Sequence, residues 1–149
     1  MKFKALIVAA ALAVSMSATA AFAQATGPEA KAMLEKGVAA LKANKATALA
    51  NFVKKDGGFQ DRDLYVFCYN TSDGKFTAHV NPALMGTDIR ALKEKDGSPL
   101  GENIFKTAKE GTIATVDYKF PKPNTTEPLP KQSFVTVVGD QGCGVGYYK

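Results

Sequence analysis

The chain has 149 residues, with 19 basic and 14 acidic side chains and a formal net charge of +5 at neutral pH. This charge is mild and evenly spread, which argues against a nucleic-acid-binding protein. After the N-terminal segment no stretch is long and apolar enough to span a bilayer, so we expect no membrane insertion of the mature chain.

The first 23 residues have the layout of a secretory signal peptide. Lys2 and Lys4 give a short basic start, residues 5–14 are apolar, and Ala21 and Ala23 place small side chains at the two positions that a signal peptidase reads. The apolar run is too short for a transmembrane anchor. We therefore predict a periplasmic or secreted mature chain of residues 24–149, which is the size of one domain.

Helical signals open the mature chain. Thr26, with Glu29 three residues later, forms a capping box, and apolar residues then recur at helical spacing. These features predict an amphipathic helix over residues 28–43. A shorter helix around Phe52 follows and is stopped by the Asp-Gly-Gly sequence at residues 56–58.

From Leu64 the hydrophobic period changes to that of a strand. The segment "DLYVFCYN", the turn "TSDG" and the segment "KFTAHV" predict a β-hairpin. Alternation places Leu64, Val66 and Cys68 on one face of the sheet. Both faces are apolar, so we expect cover on both sides. The other face carries an aromatic stripe, which could be core beneath a helix or the lining of a pocket: Tyr65, Phe67 and Tyr69.

The remaining chain alternates broken and regular segments. Prolines and glycines interrupt residues 81–111, where only a short helix near residues 102–109 is convincing. Three strands follow, in "TIATVDYKF", "QSFVTVVG" and "CGVGYYK", and the loop "PKPNTTEPLPK" between the first two is expected to be extended and exposed. This order predicts an α+β domain around one antiparallel sheet.

Motifs for catalysis are missing from the sequence. Cys68 and Cys143 favour a disulfide in an oxidising compartment over two free thiols, and neither has a redox-motif or metal-ligand spacing with His79. His79, the only histidine, has no identifiable serine or cysteine partner, and the glycine-rich "GDQGCGVG" is not followed by a phosphate-binding helix. We therefore predict no enzyme activity, no metal and no cofactor.

Five segments together resemble the single Cache domain, the extracytoplasmic relative of the PAS domain: "DLYVFCYNTSDGKFTAHVNPALMGTDI", "DGSPLGENIFKTAKEG", "TVDYKFPKP", "LPKQSFVTVV" and "GVGYYK". The resemblance covers about residues 28–149. The chain departs from the family pattern by placing Val80 and Asn81 between His79 and Pro82, and by its cysteines on the first and last strands.

The resemblance implies a five-stranded antiparallel sheet with a long N-terminal helix on one face. A ligand pocket, short helices and loops are then expected on the other face. Domains of this family usually serve chemoreceptors, kinases and cyclases as sensing modules for carboxylates, amino acids or amines. Since this chain ends after the last strand, we expect a free-standing exported domain that presents its ligand to a membrane receptor or kinase.

The family's strand order also has consequences for the last strand. The first strand lies beside the last in that order, which makes a disulfide between Cys68 and Cys143 an expectation of the resemblance. The glycines 142, 144 and 146 then fall on the opposite face. Their missing side chains would let a helix or a ligand approach the backbone.

Three residues are the leading candidates for ligand contacts. His79 either bonds a loop carbonyl and fixes the turn that follows it, or contacts the ligand. The resemblance places Tyr118 as a pocket-facing aromatic and Lys131 as a basic residue at the start of the fourth strand, where it could bind an anion. The alternatives are a core tyrosine and a surface lysine. Asp63 or Asp117 could instead bind an amine.

Two functions from different classes follow. The first is a soluble exported protein that binds a small polar metabolite such as a short carboxylate. It requires His79, Tyr118 and Lys131 to converge on one concavity. The second is a structural or interaction protein that docks on a partner without a ligand, which requires an exposed apolar patch.

Overall fold

The computed structural model describes residues 23–149, so the predicted signal peptide lies outside the described residues up to residue 22. Two helices open the fold, α1 (Gly27–Ala43) and α2 (Lys45–Lys54). The predicted capping box is confirmed, because the Thr26 side chain accepts a hydrogen bond from the Glu29 amide while the Glu29 carboxylate accepts one from the Thr26 amide at 2.7 Å. No helix among the described residues is long and apolar enough to cross a membrane.

One antiparallel sheet forms the centre of the molecule, and the predicted fold class is confirmed. Four strands follow one another across the sheet in the order β2-β6-β5-β4, while β1 and β3 both pair with β2. The two-residue β1 adds a sixth strand to the five expected. The strands are β1 (Gln60–Asp61), β2 (Leu64–Asn70), β3 (Phe76–Ala78), β4 (Ala114–Pro121), β5 (Pro128–Val138) and β6 (Gln141–Tyr148).

Both faces of the sheet are covered, as the two apolar faces of β2 predict. Leu64, Val66 and Cys68 pack beneath α1 and α2 on one side. The aromatic side chains of β2 pack on the other side against helix α3 (Leu100–Thr107) and two 3-10 turns, Pro82–Leu84 and Ile89–Ala91. The sheet is therefore the middle of three layers, with the α1 layer opposite the candidate pocket.

The two cysteines form a disulfide between neighbouring strands. Cys68 of β2 lies directly opposite Cys143 of β6, and their sulfur atoms are bonded at 2.08 Å. The pairing expected from the resemblance is thus confirmed. The bond lies in the core beneath α1 and α2 and closes a sequence separation of 75 residues.

The glycines of β6 make room for side chains of the sheet itself. A Cβ atom at Gly142 would lie 2.2 Å from the ring of Tyr69, and one at Gly144 would lie 2.4 Å from the ring of Phe67. The expectation of a helix or a ligand over these two glycines was therefore wrong. Because each ring belongs to the residue paired across the strands, β6 needs glycine where β2 carries an aromatic ring.

Two predicted boundaries shift. Helix α3 begins and ends two residues earlier than expected, at Leu100 and Thr107. The proline-rich segment is exposed at residues 123–127 but is not extended throughout as predicted, because a turn at residues 123–124 reverses the chain between β4 and β5, which already begins at Pro128. The carbonyl of Pro130 accepts a hydrogen bond from the amide of Lys149, just past the end of β6, so it points away from β4. Because the N–H and C=O groups of one strand residue point to the same side, the missing N–H of Pro130 removes no hydrogen bond from the β4–β5 ladder.

Candidate ligand pocket

A small cavity, here called the inner cavity, lies between the aromatic face of the sheet and α3. Its volume is about 20 Å³, which is room for about one water molecule. Ile89, Leu100 and Ile104 cover it from the helical side. Its remaining walls come from Leu92 and six ring-bearing side chains, which are Tyr65, Phe67, Phe76, His79, Tyr118 and Phe120.

A larger space, here called the outer chamber, adjoins the inner cavity. It measures about 450 Å³ and shares three lining residues with the inner cavity, Tyr65, His79 and Phe120. This volume lies within the range of pockets for small ligands. Its remaining lining comes from the end of α2, from β1 and from two loops: Lys55, Gln60, Val80, Asn81, Pro82, Pro121, Lys122, Pro123, Asn124 and Thr125.

His79 is buried and uncharged. Its ring lies edge-on to Tyr65 and Phe76, with centroids 5.2 and 5.3 Å away, and only 6% of the residue is exposed. Burial, together with the nearby charge of Lys131, lowers the pKa of His79 to about 4. At neutral pH the imidazole therefore carries one proton and can donate or accept hydrogen bonds without a charge.

The same ring holds the turn that follows it. His79 Nδ1 accepts a hydrogen bond from the backbone N–H of Asn81 at 2.9 Å, and the Asn81 side chain in turn accepts one from the amide of Ala83. The partner is thus an N–H group and not the carbonyl that we expected. This hydrogen bond assigns the proton of the neutral ring to Nε2. His79 therefore fixes the turn and also lines both spaces, so its two interpretations are compatible.

Lys131 is a buried cation, not a surface lysine. Only 2% of the residue is exposed, and its ammonium donates a hydrogen bond to the Tyr65 hydroxyl at 3.2 Å. The rings of Tyr65, Tyr148 and Phe120 lie 4.6 to 5.5 Å from Nζ. Burial lowers the pKa of Lys131 to about 7, although Asp63 acts in the opposite direction.

Lys131 has no acidic side chain within 4.0 Å among the described residues. It lies behind the wall of the inner cavity, which it reaches through the hydroxyl of Tyr65. Because that hydroxyl accepts from the lysine, its own hydrogen is free to be donated elsewhere. Lys131 and Tyr65 together therefore present one polarised O–H donor, the Tyr65 hydroxyl, beside the inner cavity and the outer chamber.

Tyr118 and the aromatic stripe divide between two places. Tyr118 lines the inner cavity and shares a 2.7 Å hydrogen bond with Ser133, and Tyr65 and Phe67 line the same cavity. Tyr69 does not belong to it. Its ring lies 5.4 Å from the ring of Phe105 of α3 and lines a separate cleft. The structure thus brings His79, Tyr118, Tyr65 and Phe67 together, with Lys131 directly behind them.

Neither candidate aspartate lines the inner cavity or the outer chamber. Asp117 lies at the surface, where Lys149 and Gln132 bond its carboxylate and lower its pKa. Both carboxylate oxygens of Asp63 are buried without a hydrogen bond, and one of them lies 4.0 Å from Lys122. The geometry therefore gives no support to an amine ligand held by these two residues.

Sequence reasoning did not identify the polar residues of the outer chamber. Lys55, Gln60, Lys122 and Asn124 come from segments that we interpreted as a helix end or as loops. The available signal was the polar run in "PKPNTT", which follows a strand that carries a candidate site residue, Tyr118.

Comparison with known proteins identifies the family and supports the fold. The model of the family described as "Single Cache domain 2" matches residues 2–147. The chain is 30% identical over 87 residues to the methyl-accepting chemotaxis protein McpP of Pseudomonas putida, a match that covers 58% of this chain. It spans only 16% of the length of that protein.

Solved structures share the fold. A methyl-accepting chemotaxis protein from Vibrio parahaemolyticus superposes with a TM-score of 0.66 at 24% identity, over 81% of this chain and 86% of that chain. A periplasmic sensor domain of a chemotaxis protein gives a TM-score of 0.60 at 25% identity, over 79% and 86%.

A third structure, reported as the basis for carboxylic acid recognition by a Cache chemosensory domain, gives a TM-score of 0.58 at 23% identity, over 79% of this chain and 84% of that chain. The family model matches nearly the whole sequence, and this match establishes the family. The chain is a member of the single Cache domain 2 family.

Proposed function

We propose that this chain is an exported, periplasmic domain of the sensory type that binds a small metabolite through a carboxylate. One observation carries the proposal, namely the buried side chain of Lys131, which has no acidic side chain within 4.0 Å among the described residues and bonds the Tyr65 hydroxyl at the cavity wall. Burying a charge without a counter-ion in contact is costly, Asp63 offsets only part of that cost, and an anion bound nearby reduces it further. A carboxylate suits the site because neutral donors accompany the charge.

Two donors define how the acid is held. Tyr65 and His79 line both spaces, and the donors available there are the Tyr65 hydroxyl, backed by Lys131, and the Nε2 proton of His79. A carboxylate placed against this wall accepts from both groups. The inner cavity has room for about one water molecule and so takes no more than a methyl group of the ligand, while the rest of the ligand lies in the outer chamber.

The alternative of a docking protein has less support. It needs an exposed apolar patch, yet within residues 23–149 the exposed large apolar side chains are Val53 on α2 and Leu129 on β5, which are single residues on different elements. Similarity to a chemotaxis protein favours a membrane receptor or kinase as the partner that reads the bound state. We assign no catalytic role to the domain.

A thermal-shift screen of mature residues 24–149 tests the proposal. Acetate and propionate are compared with acetamide, propionamide and ethylamine, which match them in size but not in charge. A ligand at about 100 times its dissociation constant adds roughly 2.7 kcal/mol of stability, which raises Tm by several degrees. We expect the acids alone to stabilise the protein. Equal shifts with the amides, or none with any acid, would refute a carboxylate site.

Two variants identify the residue responsible. Lys131→Met removes the buried charge at similar side-chain length, and Lys119→Met removes an exposed charge one strand away. We expect the acid-induced shift to disappear in the first variant and to persist in the second. An acid-induced shift that persists in both variants would exclude Lys131 from the site.

A further inference from the structure

We propose that Gly146 is a positioning residue of the ligand site, because it keeps open the path by which Lys131 crosses strand β6 to reach Tyr65. The inference deepens the proposed function and rests on it, since Lys131 is the residue on which that function depends. Gly146 acts through the lysine and not on the ligand. Its missing side chain decides where the ammonium of Lys131 lies.

The three glycines on this face of β6 do not serve the same purpose. Those at residues 142 and 144 lie beneath the aromatic rings of their partners on β2. The same register, continued by two residues, puts Gly146 opposite Tyr65. A Cβ atom at Gly146, however, would lie 2.6 Å from Cε of Lys131 and closer still to the hydroxyl oxygen of Ser133. The space above Gly146 is therefore taken by side chains of β5.

The side chain of Lys131 crosses a whole strand. β5 carries the lysine, β2 carries Tyr65, and β6 lies between these two strands. Neighbouring strands are about 4.8 Å apart, so the backbones of β5 and β2 are roughly 10 Å apart. The ammonium of Lys131 nevertheless bonds the Tyr65 hydroxyl at 3.2 Å. The two side chains therefore meet over β6, and the aliphatic part of the lysine passes directly above Gly146.

An alanine at this position should displace the lysine before it disturbs the sheet. Gly146 does not have a positive φ, so its backbone accepts alanine without strain. Near the added Cβ, Cε of Lys131 belongs to a long and flexible side chain. Ser133 can only rotate its hydroxyl, at the expense of its hydrogen bond to Tyr118. We therefore expect the fold to survive with Lys131 turned away from Tyr65.

A displaced Lys131 should lie nearer to water. It pairs with Tyr148, the last residue of β6, and thus lies at the end of the sheet. In its present position the ammonium is surrounded by three aromatic rings at 4.6 to 5.5 Å. An ammonium that leaves these rings moves toward solvent, where its charged form is favoured. Loss of the path should therefore change the proton affinity of Lys131 as well as ligand binding.

A change in the pH profile between pH 7 and pH 9 reports on Lys131. Burial lowers its pKa to about 7, whereas the pKa of His79 is about 4. Burial also raises the pKa of each neighbouring tyrosine above the usual value of 10. The titratable and charged groups that face Lys131 are Asp63, Tyr65, His79, Tyr118 and Tyr148, with Lys122 beyond the ring of Tyr148.

Urea denaturation of residues 24–149 between pH 6 and pH 9 tests the path. The stability of the unmodified protein should rise with pH as Lys131 loses its proton. Gly146→Ala should keep a cooperative transition but show less than half of this rise. Gly142→Ala adds the same methyl group to the same face, beside Tyr69, and should keep the full rise. Ser133→Ala removes the hydrogen bond to Tyr118 without adding an atom and should also keep it.

Calorimetric titration with propionate gives a second readout. Gly146→Ala should weaken binding at least tenfold, as we expect for Lys131→Met, whereas Gly142→Ala should change it less than twofold. When Lys131→Met is already present, Gly146→Ala should weaken binding less than twofold further, because the lysine that it displaces is gone.

The outcomes separate this proposal from the proposed function. A full pH-dependent rise in Gly146→Ala, or a failure of this variant to fold, would overturn the positioning role. If propionate binding depends on Lys131 but is unchanged in Gly146→Ala, the positioning role is wrong and the proposed function stands. If Gly146→Ala loses the rise but no acid binds the unmodified protein, the path of the lysine stands and the proposed function fails.

Discussion

Replacing the buried lysine should remove a pH dependence of stability that the fold imposes. Lys131 has an ordinary pKa of 10.5 in the unfolded chain and a pKa of about 7 in the fold, because burial disfavours its charged form. Between these two values the unfolded state binds more protons than the folded state. The free energy of unfolding therefore rises with pH across this window, and the penalty for the buried charge is fully present below pH 7.

The magnitude follows from the size of the shift. Each pH unit well inside the window adds up to about 1.4 kcal/mol to the free energy of unfolding. From pH 7 to pH 9 the unmodified protein should gain roughly 2 to 3 kcal/mol from this residue. Lys131→Met keeps a side chain of similar size without a titrating group, so the difference in stability between the two proteins should change by that amount.

Urea denaturation of both proteins between pH 6 and pH 9 measures this difference. Lys119→Met is the control, since its side chain is exposed and its removal should leave the pH profile unchanged. Below pH 7 the Lys131→Met variant should be the more stable protein, because it avoids the buried charge. A stability difference that stays constant over this pH range would refute the lowered pKa and the reasoning about the anion site that depends on it.

Further predictions concern the sheet and the first helix. Gly142→Ala should destabilise the fold by about 1 to 3 kcal/mol in urea denaturation, because the added Cβ would lie 2.2 Å from the Tyr69 ring. The loss should shrink when Tyr69→Leu is also present, and a full loss in the double variant would contradict this cause. Unreduced, denatured protein should expose no reactive thiol, and replacing Cys68 and Cys143 by alanine should cost about 4 kcal/mol for a closed loop of 75 residues. Two thiols per chain would rule the disulfide out. Thr26→Ala removes the N-cap of α1 and should cost about 1 kcal/mol, measured as a lower urea midpoint, whereas an unchanged midpoint would mean that the capping box contributes nothing.

Local features of the fold could be predicted because they depend on neighbouring residues. The capping box at Thr26 and Glu29 and the alternation along β2 each place their signal within a few positions. The disulfide was different, since its expectation came from the family's strand order. β1 escaped prediction because a two-residue strand has no periodicity, and it depends on the turn around Arg62, whose φ is 54°.

The site was harder to predict because it depends on distances that alternation does not give. Tyr65, Phe67 and Tyr69 share a face, but the first and last are four residues apart, roughly 13 Å along a strand, and Tyr69 lines a separate cleft instead of the cavity. The sequence reveals that Lys131 is a cation, but its burial depends on rings contributed by β2, β4 and β6. The outer chamber is equally non-local, since Lys55 and Lys122 approach the same space only in the folded chain.

Calorimetric titration of residues 24–149 with propionate and with propionamide, repeated on Lys131→Met, is the most informative single measurement. We expect the unmodified protein to bind propionate and not the amide, and the variant to lose at least tenfold in affinity for the acid. Binding of the acid and the amide with equal affinity, or unchanged affinity in the variant, would contradict a carboxylate site built on the buried lysine.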